Sequence, residues 1–233
     1  MDRPTDDFVD HPLKESAEAL ALLKSITRQS KDLPGKLVQY YLAGSPMWET
    51  DFLVFAAAKR TMSLCEAFLA TMRSKNFGAA AGLLRMQLDT SLRFSGLAHV
   101  ADQQQYARRI LGGEPINKMK AASGERLSDK FLSEALSKKL PWVRSVYVAT
   151  SGFIHLSERH IFQTFDQVEE ASRTVRSLIS AEDVDRPAED YLEILHAFDD
   201  STKLACHLVE SWLEQTRPRR AEEELPHTPN SYS

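Results

Sequence analysis

A chain of 233 residues of which 42% are apolar is long enough for one domain with a buried core, and its net charge of −4 argues against a broadly basic nucleic-acid surface. No apolar run approaches the ~18 residues that a membrane helix needs. Residues 1–12, MDRPTDDFVDHP, lack the apolar stretch of a signal peptide. Cys65 and Cys206 lie in apolar helical patterns, which predicts buried free thiols and no disulfide framework. We therefore expect a cytoplasmic protein that does not associate with a membrane.

The first part of the chain predicts short helices separated by breaks. Residues 1–12 are expected to be a flexible N-terminus. The apolar spacing that follows predicts a helix over Leu13–Arg28. Leu33-Pro34-Gly35 predicts a break, because proline and glycine interrupt helices, and a short helix over Lys36–Ala43 follows it.

Two long antiparallel helices are predicted next. Ser45-Pro46 combines a capping residue with a proline in the first turn, which predicts a helix that runs to about Lys75. Asn76-Phe77-Gly78 forms a tight corner, and a second helix over Ala79–Val100 returns antiparallel because the connection is short. Both helices carry apolar residues on more than one side, and we expect such surfaces to form a homodimer.

Two shorter helices and a link follow. Asp102 is expected to cap a helix that ends near Leu111, and Ser128 to cap a helix that ends near Lys139. Between them, residues 116–127 are expected to form a mobile link. The next helix, predicted to begin at Pro141, carries the polar residues described below.

The C-terminal part predicts a small β-hairpin and one more long helix. Segments rich in Ile, Phe, Thr and Val predict the hairpin near residues 160–180. Asp185-Arg186-Pro187 predicts the start of a helix that ends near Gln215. The polar residues 217–233 predict a disordered tail.

The sequence as a whole therefore predicts an all-α protein. We expect an antiparallel helical bundle of about five main helices, with the hairpin as its only strands, in a single domain over residues 13–216.

A polar stripe marks the helix predicted from Pro141 to about His160. Arg144, Ser151 and His155 are spaced by seven and four residues, which places them on one face of a helix. Histidine can move protons near neutral pH, and arginine can bind a phosphate or a developing anion. The stripe can therefore line a cleft, or it can be solvated and make structural hydrogen bonds.

Arg85 and Asp89 lie four residues apart on the second long helix, which is predicted to be buried on two sides. Charged groups in such a place must be paired. They can pair with each other, or they can meet Arg144 and His155 across the bundle. In the second case Asp89 would orient His155, and the two arginines would bind an anion. A closed polar knot without access for a ligand is the alternative.

Known cofactor and metal motifs are missing from the sequence. It has no phosphate-binding loop, no Rossmann glycine fingerprint, no zinc Cys-x-x-Cys pair and no Gly-x-Ser-x-Gly elbow. Glu193 and His196 match the Glu-x-x-His spacing of di-iron bundles, but a single copy of that motif is attributed to chance. We therefore expect neither a cofactor nor a metal ion.

Two stretches together resemble a group of mostly uncharacterised bacterial proteins with the HEPN-type helical bundle. LLRMQLDTSLRF carries Arg85 and, four residues later, Asp89, and YVATSGFIHLSERH carries Tyr147, Ser151 and His155. The likeness spans roughly residues 46–215. It implies an all-α bundle that pairs into homodimers.

The resemblance implies two alternative functions. Many HEPN proteins are similar to metal-independent ribonucleases of toxin–antitoxin and phage-defence systems. In such an enzyme Arg85 or Arg144 would bind phosphate, and His155 would act as general acid and base on the 2′-hydroxyl. Other HEPN proteins are non-catalytic modules that bind a protein partner or a ligand such as RNA or a nucleotide.

The ribonuclease motif of the HEPN group is Arg, four to six residues and then His near the start of the last helix, and this chain departs from it there. Nine residues separate Arg186 from His196, and ten separate Arg144 from His155. The sequence therefore favours a non-catalytic binding module that uses a polar cleft, with the ribonuclease as the alternative.

Overall fold

The computed structural model describes residues 11–41, 47–155, 157–169, 172–177, 179–183 and 186–223. The helices in these ranges are α1 (Ala17–Tyr41), α2 (Glu49–Arg73), α3 (Phe77–Ser95), α4 (Gln103–Leu111), α5 (Asp129–Ser137), α6 (Trp142–Ser151), α7 (Glu158–Gln163) and α8 (Ala188–Glu223). Two short strands, β1 (Phe165–Glu169) and β2 (Thr174–Ser177), pair antiparallel within the region where a hairpin is predicted. The prediction of a mainly helical protein is confirmed. Within the described residues, no helix is long and apolar enough to cross a lipid bilayer.

Helix α3 is enclosed by other helices. It packs against α2 and α8, and against α5 and α6. Leu88 and Leu92 are fully buried in one apolar cluster, and Ala81 and Leu84 are buried in a second. Polar side chains on such a helix must find partners, because burial of an unpaired charge is costly. This requirement determines the arrangement of the candidate site.

The helix starts predicted at Asp102 and Ser128 are confirmed. The Asp102 carboxylate accepts a hydrogen bond from the backbone N–H of Gln105 at 2.8 Å. The Ser128 hydroxyl accepts one from the N–H of Phe131 at 3.2 Å. Each cap satisfies a backbone donor that has no partner inside the helix.

The break predicted at Leu33-Pro34-Gly35 is wrong, because α1 continues through it with Pro34 inside the helix. A proline there removes a backbone hydrogen bond and is unfavourable unless packing compensates. Leu33 and Tyr40 are both buried, and the Tyr40 hydroxyl lies 3.1 Å from the Thr216 hydroxyl on α8. Packing of α1 against α8 thus compensates for the proline.

Helix α2 begins at Glu49, three residues after the predicted start at Ser45-Pro46. Residues 42–46 lie outside the described part of the chain. Asp51 explains the later start, since its carboxylate accepts a hydrogen bond from the backbone N–H of Trp48 at 2.7 Å and so caps the helix.

Residues 116–127 form part of the core, so the prediction of a mobile link is wrong. Met119 and Leu127 are buried at 1% and 0% exposure. The N–H of Ala122 donates to the carbonyl of His99 at 2.8 Å. Apolar anchors and backbone hydrogen bonds thus fix a segment whose polar composition predicted mobility.

The single helix predicted from Pro141 to about His160 is two helices, α6 and α7, joined by a turn. The Ser151 hydroxyl donates to the carbonyl of Tyr147 at 2.6 Å, and the Ser157 hydroxyl donates to the carbonyl of Gly152 at 2.7 Å. Such local bonds compete with helical hydrogen bonds, and Gly152 weakens the helix further. His155 therefore lies in the turn.

The predictions of a flexible N-terminus and a disordered C-terminal tail can be compared with the structure at both ends of the described chain. Residues 1–10 lie outside the described part of the chain, but His11, placed in the flexible N-terminus, is buried at 3% exposure. Helix α8 continues to Glu223, so the disordered tail predicted from residue 217 begins too early. Residues 224–233 are not described.

Candidate functional site

A cleft of about 390 Å³, here called the polar cleft, lies between α3, α6 and the turn after α6. Its volume is within the range of small-molecule sites. Four of the five predicted site residues line it. The lining residues are Arg60, Arg85, Met86, Asp89, Asp129, Tyr147, Ser151, Ile154 and His155.

Arg85 forms the buried floor of the polar cleft. It is only 8% exposed, and its guanidinium lies 4.1 Å from the centre of the Tyr147 ring. Its Nη1 is 3.9 Å from Asp89 Oδ1, and its Nη2 is 3.5 Å from Asp129 Oδ2. Two carboxylates and an aromatic face thus compensate the buried charge and hold the guanidinium in one orientation.

Asp89 is surrounded by arginines. Arg93 Nε donates to its Oδ1 at 3.2 Å, and Arg60 Nη2 lies 3.9 Å from its Oδ2. Arg93 also pairs with Asp129 through Nη2. We call these five residues, Arg60, Arg85, Arg93, Asp89 and Asp129, the arginine–aspartate cluster. Three guanidinium groups and two carboxylates give the cluster an excess of one positive charge.

His155 lies exposed at the edge of the polar cleft. Its ring makes no hydrogen bond within the part of the chain that the structure describes. Asp89, predicted to orient this imidazole, interacts instead with the arginines of the cluster. The Ser151 hydroxyl donates to a backbone carbonyl, so it is not paired with the imidazole as a nucleophile would be.

Arg144 is not brought into the polar cleft. Its Nη1 lies 3.5 Å from the Ser133 hydroxyl and 3.7 Å from Glu134 Oε1, both on α5. Helix α6 packs against α5 on this side, and the arginine therefore follows that contact. Its predicted meeting with Arg85 and Asp89 does not occur.

Three members of the arginine–aspartate cluster, Arg60, Arg93 and Asp129, were not predicted from the sequence. Arg93 follows Asp89 by four residues, a spacing that places an ion pair on one helical face, and this signal was available. Arg60 is on α2 and Asp129 is the first residue of α5. No local pattern connects either of them to α3, so only the packing of the helices brings them together.

The polar cleft also has an apolar edge. Met86 and Ile154 line it and are 37% and 44% exposed. An exposed apolar side chain beside fixed charges suits a ligand that has both a flat or apolar part and an ionic part.

The remaining sequence candidates have structural explanations. His196 Nε2 lies 2.8 Å from Glu18 Oε1 on α1, so its ring contacts another helix and not a di-iron centre. Among the described residues, no group of three or more His, Cys, Asp or Glu side chains could hold a metal ion.

The two cysteines are buried free thiols, as predicted. Burial raises the pKa of Cys65 to about 11 and that of Cys206 to about 12. Since the thiolate is the reactive form, both thiols are unreactive at neutral pH.

Searches of protein-family models, curated proteins and solved structures found no match to this chain. The geometry of the polar cleft is therefore the basis on which a function can be assigned.

Proposed function

We propose that this chain is a non-catalytic, HEPN-like binding module that holds a phosphate-bearing ligand, such as a nucleotide or an RNA end, in the polar cleft. The observation that carries the proposal is the arginine–aspartate cluster on a chain of net charge −4. The two arginines and two aspartates that line the cleft balance each other, and Arg93, which pairs with both aspartates from beside the cleft, gives the cluster its positive excess. Planar guanidinium groups match the geometry of phosphate oxygens.

Arg60 is the cluster member best placed to bind the ligand. Its side chain is 43% exposed, and it approaches Asp89 only at 3.9 Å. Arg85 is committed to two carboxylates and to the Tyr147 ring, so it serves as a fixed positive charge beneath the ligand. The apolar edge at Met86 and Ile154 is suited to contact a nucleobase.

The position of the two HEPN-like stretches supports the resemblance. Arg85 and Asp89 come from one stretch, and Tyr147, Ser151 and His155 come from the other. All five line the same cleft. Residues that carry a shared function are expected to converge in this way.

The state of His155 favours binding over catalysis. A general acid and base is normally oriented by a second group that fixes its tautomer. Asp89, the carboxylate that would do this, interacts with three arginines. We therefore assign His155 to ligand contact and not to proton transfer.

The ribonuclease remains the second candidate because an exposed imidazole shares the cleft with a fixed guanidinium, Arg85. In that case His155 would take the proton of the 2′-hydroxyl. Loss of RNA cleavage in a His155→Ala variant would identify this function.

The binding proposal can be tested with a short fluorescein-labelled oligoribonucleotide, followed by fluorescence anisotropy. Arg60→Gln removes the exposed guanidinium and should weaken binding roughly tenfold, as expected for the loss of one charge-assisted contact. Arg28→Gln is the matched control, since Arg28 is exposed on α1 and does not line the polar cleft. Equal affinities for the two variants would contradict the proposal.

We also propose a homodimer that forms through α1 and α2. Val38, Phe52 and Phe55 are 53%, 50% and 36% exposed, and the Tyr41 ring, 4.9 Å from that of Phe55, connects the two helices. Exposed apolar groups of this kind are typical of contact surfaces. Helix α3, also predicted to pair, is enclosed by its neighbours and offers no comparable surface.

A further inference from the structure

A second cavity, of about 540 Å³, lies between α3, α6 and α8, and we call it the α8 cavity. It shares no lining residue with the polar cleft. Ala81 and Leu84 of α3 and Ile194 of α8, all buried, contribute to its largely apolar wall. Small side chains on α6 and α8, Ala149 and Ala197, leave the space that larger residues would fill.

Charged groups gather at one side of the α8 cavity. Arg186 Nη1 lies 2.8 Å from Asp190 Oδ2, and its Nη2 lies 3.3 Å from Asp183 Oδ1. Its guanidinium is 4.0 Å from the centre of the Phe77 ring. The positive charge of Arg186 is therefore already offset by two carboxylates, and its guanidinium plane contacts the Phe77 ring.

Glu193 lies one turn further along α8 and also lines the cavity. Its carboxylate is exposed, and among the described residues no cation pairs with it. Among the charged residues that line the cavity, Asp190 and Glu193 outweigh Arg186, so this side of the cavity has a net charge of −1. Carboxylates at one side of an apolar cavity repel organic anions. A neutral ligand would leave the Glu193 carboxylate without an ionic partner.

We propose that the α8 cavity binds a small organic cation with an apolar body, for which an aromatic amine is the simplest model. The apolar body would lie against Ala81, Ala149 and Ile194, and the ammonium would pair with Glu193. A cavity of this volume, mostly apolar with a few polar groups at one side, has the character of a small-molecule site. The Thr150 hydroxyl donates to the carbonyl of Val146, so the carboxylates provide the polar recognition.

The test uses two probes that share a ring system and differ in charge, 1-naphthylmethylamine and 1-naphthylacetate. Each is titrated into the full-length protein by isothermal calorimetry. The amine should bind saturably and more tightly than the acetate. If the amine does not saturate, or if the acetate binds as tightly, the proposal is overturned.

Two variants locate the amine. Glu193→Gln should weaken its binding roughly threefold, as expected for an exposed ion pair. Glu189→Gln is the matched control, because Glu189 is an exposed carboxylate on the same helix that does not line the cavity. Equal amine affinities for these two variants would overturn the proposal.

Ala149→Phe fills the cavity from an exposed position on α6 and should abolish binding of the amine. Unchanged amine binding in this variant would also overturn the proposal. Its fold is checked by circular dichroism, and Glu193→Gln provides a decisive result if Ala149→Phe does not fold. Because the two cavities share no residue, RNA binding by Arg60→Gln is a separate measurement, and either proposal can fail without the other.

Discussion

The charge of Arg85 is almost completely buried, so the stability of the fold depends on the carboxylates that pair with it. Asp89→Ala would leave the three arginines of the cluster with Asp129 alone, and the loss of a partner for a buried charge is more costly than the loss of a surface ion pair. We expect a decrease of about 1–3 kcal/mol in the free energy of unfolding, measured by urea denaturation.

Asp200→Ala is the control for this change. Asp200 is on α8 and its side chain is 54% exposed beside Lys203. Its loss should change the free energy of unfolding by less than about 0.5 kcal/mol. Equal urea midpoints for the Asp89 and Asp200 variants would show that the cluster does not stabilise the fold.

His11 makes stability depend on pH. Burial lowers the pKa of His11 from 6.5 to about 4, against an opposing hydrogen bond with the Met72 backbone. The ring accepts the N–H of Leu13 at Nδ1, at 3.1 Å, so the folded protein holds the neutral form. The unfolded chain takes up a proton first as pH falls. Stability should therefore decrease by on the order of 1–2 kcal/mol between pH 7 and pH 5 from this group alone.

The His11 contribution is isolated by comparison with His11→Asn, whose side-chain oxygen can still accept the N–H of Leu13. Urea denaturation of both proteins at pH 7 and pH 5 gives the two losses of stability. We expect the wild type to lose more than the variant. The same loss in both proteins would mean that His11 does not titrate as proposed.

At the scale of single residues, local spacing could predict Arg85, Asp89 and, in principle, Arg93, because these lie on one helix. It could not predict Asp129, which joins the arginine–aspartate cluster from another helix. Arg144 shows the opposite failure. Its spacing fitted the stripe, but the neighbouring helix α5 provides its contacts.

At the scale of elements, α1 carries a Gly in its interior that packing does not require. A Cβ added at Gly35 meets no atom within 4 Å, and Ala has the higher helix propensity. Gly35→Ala should therefore raise the free energy of unfolding by about 0.5–1 kcal/mol, measured by urea denaturation.

Gly113 provides the matched comparison, since a Cβ there also meets open space but the backbone has φ +86°. Alanine is strained in that conformation, and Gly113→Ala should lower stability by about 1 kcal/mol. The two variants thus separate backbone conformation from packing. Changes of the same sign in both would contradict the account of α1.

Helix starts could be predicted because a cap is local, as at Asp102 and Ser128. Helix continuity could not, because it is decided by tertiary contacts. Packing of Leu33 and Tyr40 carries α1 through Pro34. Conversely, the apolar pattern continued past Gly152, where hydroxyl groups that bond to nearby carbonyls end α6.

At the scale of the whole molecule, the proposed dimer can be tested by light scattering. Phe52→Ser should convert a species of twice the 26.3 kDa chain mass into a monomer, because Phe52 lies in the exposed apolar group on α1 and α2. Ile179→Ser is the control, since Ile179 is 92% exposed elsewhere. A wild-type mass near 26.3 kDa at all concentrations would exclude the dimer.

The placement of both cavities also belongs to this scale. Helix α6 lies on α3, and different residues of α6 line the polar cleft and the α8 cavity. The sequence could indicate the polar residues of α6, but the second cavity is made mainly of ordinary apolar positions. Such positions line a cavity only because the fold brings α3, α6 and α8 together around it.

The central claim, that the polar cleft binds a phosphate-bearing ligand without cleaving RNA, is tested most directly with one labelled oligoribonucleotide. Wild-type protein and His155→Ala are each incubated with it, and every sample is read by anisotropy and on a denaturing gel. We predict that the wild type binds and leaves the RNA intact, and that the variant also leaves it intact. Cleavage by the wild type that is lost in His155→Ala would contradict the claim and establish a ribonuclease.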